Sequence, residues 1–163
     1  MSLEDKNVVI TTAARTAIGT FRGSLKKKQA HELGSAVITK VIKKSNLKPN
    51  DIDELIMGQV LTGGAGQNPA RQAAINSGLP VEKTAYTINQ VCGSGLRSIA
   101  MGYQAIISED SKIVIAGGQE SMTNSPHTIN IREGEKLEET NLVDTMIKDG
   151  LWDAFNGYHM GVT

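Results

Sequence analysis

Short apolar runs bounded by turn residues alternate with segments of helical apolar spacing along most of the chain. The β-branched and apolar runs predict strands at residues 7–13, 54–61, 84–89 and 112–117. Apolar residues spaced three or four apart, with capping and turn residues at their ends, predict helices at 31–44, 69–77 and 93–108. The predicted order is therefore an alternation of strand and helix that begins and ends with a strand.

This alternation favours an α/β fold, with a layered, mainly parallel (mixed) sheet and helices on both faces. Parallel neighbours need crossover connections, and each predicted helix is long enough to form one. After Gly118 the pattern changes, because 121–126 is rich in turn residues and 132–139 is dense in charge. We therefore expect an α/β domain over residues 1–120 and a loop region over 121–163, with a helix resuming near Leu142.

Charge and hydropathy argue against several classes of partner. Lys plus Arg equals Asp plus Glu at 17 each, so no net field favours nucleic acid or an anionic membrane surface. The lysines at 26–28 are interpreted as a solvated face. No apolar run reaches the ~18 residues of a membrane-spanning helix, and the first residues lack a signal-peptide pattern. We expect a cytoplasmic protein, or a mitochondrial matrix protein if a presequence was removed.

The single cysteine is the main candidate for chemistry. One cysteine cannot form an internal disulfide or a cysteine-based metal site, so Cys92 is either a packed thiol or a reactive one. It falls at the junction between the predicted strand 84–89 and the predicted helix 93–108. Free N–H groups at a helix N-terminus favour an anion, so a nucleophilic thiolate, or an oxyanion formed beside it, is stabilised there.

The helix predicted after Cys92 is rich in small residues, including Gly93, Gly95 and Gly102. Close packing would explain this composition, so we expect a helix that is buried on most sides and carries Cys92 at its first turn, facing a cleft. Position alone leaves a second interpretation open, in which Cys92 is a small hydrophobic residue of the core.

Resemblance to a known family favours a reactive Cys92 over a packed one. The string INQVCGSGL at 88–96 resembles the acyl-enzyme signature of thiolases. Four further blocks resemble thiolase segments in the family's order, namely RTAIG at 15–19, GQNPARQ at 66–72, GGQESM at 117–122 and GYHMG at 157–161. The resemblance extends over essentially the whole chain and is nearest to the short-chain, acetoacetyl-CoA type.

The resemblance implies a ping-pong transfer of an acetyl group between coenzyme A thioesters, with Cys92 as the nucleophile and its backbone N–H directed to the oxyanion. Leu151, His159 and Met160 match family positions that line the pantetheine and acyl end of the pocket. Without the family, each has a structural interpretation, as a core anchor, a satisfied histidine and a gap-filling side chain respectively. The resemblance further implies no metal, no cofactor besides the CoA substrates, a role in fatty acid metabolism, and a homodimer or homotetramer.

The chain departs from the family in length. Thiolases are roughly twice as long, and by resemblance their second half supplies a histidine that activates the nucleophile, an asparagine-held water and a second cysteine. The chain therefore resembles an amino-terminal half that ends within the family's loop domain. We expect such a half to be inactive alone and to expose an apolar, glycine-rich face of the helix 93–108.

Three other functions are weighed against an acyltransferase. An inert folded fragment or interaction scaffold is compatible with the absence of the second half. A cysteine hydrolase would need a histidine held beside Cys92, and no recognised block supplies one. A phosphate-binding role for the GGAG segment at 63–66 fails because it has neither the GxGxxG spacing nor the lysine of a P-loop.

Overall fold

A computed structural model describes residues 7–132 and 141–163 of the chain. Within them, three helices are formed by Ala30–Ser45 (α1), Pro69–Asn76 (α2) and Ser94–Ile107 (α3). The strands are Glu54–Gly58 (β1), Thr84–Ile88 (β2), Val114–Gly118 (β3), His127–Thr128 (β4) and Val143–Asp144 (β5). All three predicted helices and three of the four predicted strands are confirmed to within a few residues.

The main sheet has the strand order β2-β1-β3, and both pairings are parallel. Helix α2 connects β1 to β2, and α3 crosses from β2 over β1 to β3. Gly58 at the end of β1 is in register with Ile88 of β2 and with Gly118 of β3. All three strands therefore end along one edge of the sheet, which is where α/β folds usually place their binding sites.

Helices cover both faces of this sheet, as the sequence predicts. Because side chains alternate along a strand, Leu55 and Met57 point to one face, where they join the buried core with residues of α1 and α2. On the opposite face, Gly102 of α3 lies close to Val114 and Ala116 of β3. The α/β class with a parallel sheet between layers of helix is confirmed.

The strand predicted at 7–13 does not form. Among the described residues, no backbone hydrogen bond joins this segment to a neighbouring strand, and Val9 and Ile10 are 70% and 78% exposed. A contact to α1 is made instead, where Lys44 Nζ donates to the carbonyl of Ala13 at 2.9 Å. A β-branched run favours a strand only when a neighbour provides the ladder, and this condition is not visible in the local sequence.

Helix α3 is not buried on most sides, so that expectation is wrong. Its buried residues are Ser94, Ser98 and Gly102, which recur every four residues and form one narrow stripe against the sheet. On the other side, Leu96 is 74% exposed and Tyr103 is 53% exposed. The small residues of the sequence reflect close packing on one face only, and the expected open apolar face is present.

After β3 the chain forms short elements rather than layers. A 3₁₀ turn at Met122–Asn124 precedes the antiparallel pair β4 and β5, and a six-residue π-helical turn follows at Met146–Leu151. The helix predicted near Leu142 therefore begins later, after a short strand. Most of the charge-dense stretch 132–139 lies outside the described residues. Asn124 Nδ2 donates to the carbonyl of Lys28 at 2.9 Å and ties this region to the residues before α1.

Asp53 joins the beginnings of two strands of the main sheet. Its Oδ2 accepts hydrogen bonds from the backbone N–H groups of Lys112 at 2.8 Å and Ile113 at 3.0 Å, and its own N–H donates to the carbonyl of Ile113. The two backbone donors lower the pKa of the Asp53 carboxyl below 3.8, with a smaller contribution from Lys83. The ionised side chain therefore stabilises the fold at neutral pH.

We predict that Asp53→Asn lowers the free energy of unfolding at pH 7 by about 1 kcal/mol, because a neutral amide oxygen accepts these bonds more weakly than a carboxylate oxygen does and the site is partly solvent-screened. A lowered pKa gives stability that is present above 3.8 and lost as the pH falls through the folded value, so the difference should close below that pH. Urea unfolding from pH 7 to pH 3 measures this. Equal stability of the parent and the variant at pH 7 would contradict this role of Asp53.

Candidate active site

The chain turns sharply between the end of β2 and the start of α3, and Cys92 lies in this turn. The helix begins at Ser94, so Cys92 precedes it by two residues rather than forming its first turn. Two backbone bonds close the turn, from Gly93 N to the Gln90 carbonyl and from Ser94 N to the Val91 carbonyl, each at 3.1 Å. The thiol is free and exposed. Cys92 is therefore not a core residue in this structure.

Glycines let the N-terminal turn of α3 come down onto the sheet. A Cβ on Gly58 would lie 2.6 Å from both the carbonyl carbon and the Cβ of Ser94. A Cβ on Gly118 would lie 3.4 Å from the Cα of Gly95. Only glycine at the end of β1 permits this approach, which places the turn carrying Cys92 directly above the carboxyl edge of the sheet.

A cleft of about 310 Å³ opens at this edge. Its walls come from the ends of β1 and β3, the turn before α3, and the π-helical turn after β5. The lining includes Leu61, Cys92, Gly95, Glu120, Met122 and Leu151. An exposed thiol thus shares a largely apolar, open cleft with a carboxyl group.

The structure brings together two of the four site residues predicted from the sequence. Cys92 and Leu151 both line the cleft. His159 closes a hairpin-like loop at 152–159 by pairing with Trp152, and Met160 follows it. Neither residue is among those that line the cleft. The Nδ1 of His159 accepts a hydrogen bond from the N–H of Gly161 at 2.9 Å, and Met160 is 42% exposed. The substrate-binding role of His159 and Met160 stays a prediction.

The loop at 152–159 is held by one carboxylate. Asp153 accepts hydrogen bonds from the side chain of Asn156 and from the backbone N–H groups of Asn156 and Phe155, which lower its pKa below 3.8. Phe155 at the tip is 98% exposed. The loop is therefore ordered internally while it presents an aromatic side chain to solvent.

A buried polar group at the strand ends was not predicted from the sequence. Gln59 and Gln119 are 2% and 7% exposed, and Gln119 Nε2 donates to Gln59 Oε1 at 2.9 Å. Gln59 Nε2 in turn donates to the carbonyl of Leu61 at 2.8 Å. A signal was available only for Gln119, which lies two residues after the predicted strand 112–117, at the end of a strand where α/β folds usually place binding sites. Gln59 falls within the predicted strand 54–61, and only the observed end of β1 at Gly58 places it at the edge of the sheet.

Glu120 is a third residue that sequence reasoning missed as part of the site. Its Oε2 accepts from the N–H of Val60 at 2.8 Å and its Oε1 accepts from the N–H of Leu61 at 3.2 Å. Burial raises the pKa of Glu120 above 4.5, and the hydrogen bonds from Val60, Leu61 and Ser121 oppose this rise only in part. Glu120 thus fixes the cleft wall after β1 with a carboxyl group that resists ionisation.

Residues 7–132 and 141–163 contain no group of three or more His, Cys, Asp or Glu side chains placed to hold a metal ion. Within the same residues, no helix has both the length and the apolar character needed to cross a bilayer.

Sequence comparison identifies the family to which this chain belongs. The model of the thiolase N-terminal domain family matches residues 8–163. The chain belongs to the thiolase family and corresponds to its N-terminal domain.

Individual relatives carry more specific names. The chain is 52% identical over 161 residues to an acetyl-CoA acetyltransferase of Rhizobium meliloti, covering 99% of this chain and 41% of that protein. It is 56% identical over 157 residues to the acetyl-CoA acetyltransferase of Chromobacterium violaceum, covering 96% of this chain and 40% of that protein. A probable acetyl-CoA acetyltransferase of Escherichia coli is 54% identical over 159 residues, covering 97% of this chain and 40% of that protein. The chain thus spans well under half the length of these curated relatives.

We predict that Glu120→Gln gains stability relative to the parent chain as the pH rises. A raised pKa means that ionisation of Glu120 opposes folding, so the parent loses stability as the pH rises from 4.5 through the folded value, whereas glutamine does not titrate. Unfolding free energies at pH 4 and pH 8 measure the change. A difference between the two proteins that is the same at both pH values would contradict the burial of this carboxyl. Glu82→Gln at an exposed position is the control.

Proposed function

We propose that the protein acts in acyl transfer between coenzyme A thioesters, as an acetyl-CoA acetyltransferase of the thiolase family, with Cys92 as the acyl acceptor. The observation that carries the proposal is the position of Cys92, exposed in a sharp strand-to-helix turn on the wall of a cleft. The names of relatives that are 52% to 56% identical support the reaction class.

In the first half-reaction the Cys92 thiolate attacks the carbonyl carbon of acetyl-CoA. A bond forms between Sγ and that carbon, the bond from the carbon to the CoA sulfur breaks, and the CoA thiolate leaves and takes up a proton. Negative charge develops on the carbonyl oxygen during this step. The backbone N–H groups at the start of α3, with that of Cys92, are the donors that we propose stabilise it.

In the second half-reaction the acetyl group leaves Cys92. A second acetyl-CoA loses a proton from its methyl group, the resulting carbanion attacks the acyl-enzyme carbonyl, and the Cys92 thiolate is released with acetoacetyl-CoA. The reverse sequence is thiolysis of a 3-ketoacyl-CoA. By resemblance, the groups that move these protons, a histidine and a second cysteine, belong to the second half of a thiolase, so we propose turnover only for the whole protein.

The substrates that we propose are the CoA thioesters themselves, with no separate cofactor and no metal. Leu61, Met122 and Leu151 give the cleft apolar walls suited to a short acyl group and the end of the pantetheine chain. His159 and Met160 are proposed to complete that surface, as the family resemblance implies. The proposed setting is fatty acid metabolism in the cytoplasm or, after loss of a presequence, in the mitochondrial matrix.

We also propose self-association, as a dimer or a dimer of dimers. In the described sheet β2 is an edge strand, and it leads directly to Cys92, so pairing of two copies along this edge would join two sites. By resemblance, residues 68–72 approach the neighbouring subunit and the loop 121–139 forms the tetramer contact. Residues 133–139 of that loop lie outside the described part of the chain.

A second candidate function is an inert folded scaffold. Two observations favour it for these 163 residues taken alone, namely the 40% coverage of the relatives and the open apolar face of α3 with Leu96 and Ile99. A domain of this kind would keep its sheet and lose its chemistry.

Incubation with acetyl-CoA followed by intact mass spectrometry separates the two functions. We predict that the chain completes only the first half-reaction, without turnover to acetoacetyl-CoA. It should gain one acetyl group, located on Cys92, removable by neutral hydroxylamine as a thioester, and absent in Cys92→Ala. An amide formed with a surface lysine would survive hydroxylamine. A chain that stays unmodified after long incubation would favour the scaffold. In the whole protein, Cys92→Ser should lower turnover by several orders of magnitude, because serine is a much weaker nucleophile at neutral pH.

A further inference from the structure

The residue immediately before Cys92 has an unfavourable backbone conformation. Val91 has a φ of 50°, in the left-handed region that β-branched residues rarely adopt. Left-handed geometry costs an L-residue other than glycine about 1–2 kcal/mol. Such a conformation persists only when surrounding groups hold it in place, and these cases concentrate at functional sites.

Two side chains supply that restraint. Asn89 Oδ1 accepts a hydrogen bond from the N–H of Val91 at 2.8 Å. Ser94 Oγ accepts from the N–H of Gln90 at 2.8 Å and donates to the carbonyl of Val91 at 2.6 Å. Both polar groups of the Val91 backbone therefore bind side chains that flank the turn, one on each side.

Ser94 is itself held by the sheet. It is 4% exposed, and its carbonyl carbon and Cβ lie against Gly58 at the end of β1. The packing of Ser94 against the sheet therefore fixes the place of its hydroxyl. The hydrogen bonds of that hydroxyl in turn hold the peptide that precedes Cys92. Asn89 provides the matching restraint from the β2 side of the turn.

We infer that Asn89 and Ser94 are positioning residues that hold Val91 in its left-handed conformation and so fix Cys92 on the wall of the cleft. The catalytic meaning of this inference rests on the proposed function of Cys92 as acyl acceptor, whereas the geometric part does not. Without the Asn89 oxygen, the Val91 N–H loses its partner and the valine relaxes toward negative φ, which turns the Cys92 peptide away from α3.

This inference predicts energetic coupling between positions 89 and 91. Glycine adopts a positive φ without steric cost, so it does not need the restraint that valine needs. Asn89→Ala should therefore lower the reactivity of Cys92 when residue 91 is valine and leave it nearly unchanged when residue 91 is glycine. A merely structural role of Asn89 would make the two substitutions independent.

The test measures the second-order rate of iodoacetamide alkylation at one fixed pH, which reports on Cys92 alone because the chain has no other cysteine. Asn89→Ala should slow alkylation of the folded chain about three- to tenfold, the range that one lost hydrogen bond allows. Val91→Gly should change the rate little. The double variant should recover to within about twofold of Val91→Gly. Independent effects that multiply in the double variant would overturn the inference.

Matched controls separate positioning from general damage. Asn130→Ala removes the same kind of bond, which the N–H of Arg132 donates to Asn130 Oδ1 at 3.3 Å, and should leave the rate unchanged. Ser94→Ala should slow alkylation, whereas Ser98→Ala, which loses a buried hydroxyl one turn further along α3, should not. Circular dichroism confirms that each variant is folded.

A conservative variant and a second reaction complete the design. Asn89→Ser keeps a hydroxyl that can accept from the N–H two residues on, so its alkylation rate should fall between that of the parent and that of a folded Asn89→Ala. If Asn89→Ala does not fold, Asn89→Ser should still react more slowly than the parent. A rate for Asn89→Ser below that of a folded Asn89→Ala, or no loss in either, would overturn the inference. Acetylation by acetyl-CoA is measured in parallel. If the substitutions at positions 89 and 91 are coupled in the alkylation rate but no variant or parent chain is acetylated, the proposed function is contradicted and the positioning role still holds.

Discussion

The contact between the first turn of α3 and the glycine at the end of β1 governs the geometry of this protein. No side chain separates Gly58 from Ser94, so the helix begins almost on the sheet itself. The chain between β2 and α3 must then reverse direction within a few residues, which forces Val91 to a positive φ and brings Cys92 to the surface above the strand ends. A longer connection between β2 and α3 would not require the thiol of Cys92 to lie at the surface.

The polar groups at the same edge of the sheet complement this contact. Gln59, Gln119 and Glu120 follow directly on β1 and β3, and their hydrogen bonds join the two strand ends to the backbone at Val60 and Leu61. Buried polar groups of this kind lower stability unless they are paired, so their value here lies in fixing one arrangement of the cleft wall. A helix stripe of small residues packed on the glycine at the end of β1 and a polar network beside it thus lie together beneath an exposed thiol.

Much of this architecture follows from local sequence. Helices α1, α2 and α3 and strands β1, β2 and β3 were predictable, because their apolar spacing and their flanking residues agree with their environment. Membership of the thiolase family was also readable from short motifs, and the comparisons confirm it. The position of Cys92 between a strand and a helix was correct, although the helix starts at Ser94, one residue later than predicted.

The features that the sequence did not predict correctly share one physical cause, because each depends on contacts with residues that are distant in sequence. Residues 7–13 have strand composition, but a strand exists only with a pairing partner. The small residues of α3 indicated close packing without revealing that it occurs on one face. The strain at Val91 and the burial of Glu120 arise from where β1 and β3 end, and no periodicity in the sequence encodes either.

The most direct test of this account is Gly58→Ala. The new Cβ would lie 2.6 Å from backbone and side-chain atoms of Ser94, so α3 must move away from the sheet. We predict a loss of about 2 kcal/mol or more in the free energy of unfolding, together with altered reactivity of Cys92 toward iodoacetamide. Gly63→Ala, where the nearest heavy atom to the added carbon is 3.8 Å away, should change neither quantity. A Gly58→Ala chain that matched the parent in both would contradict the account.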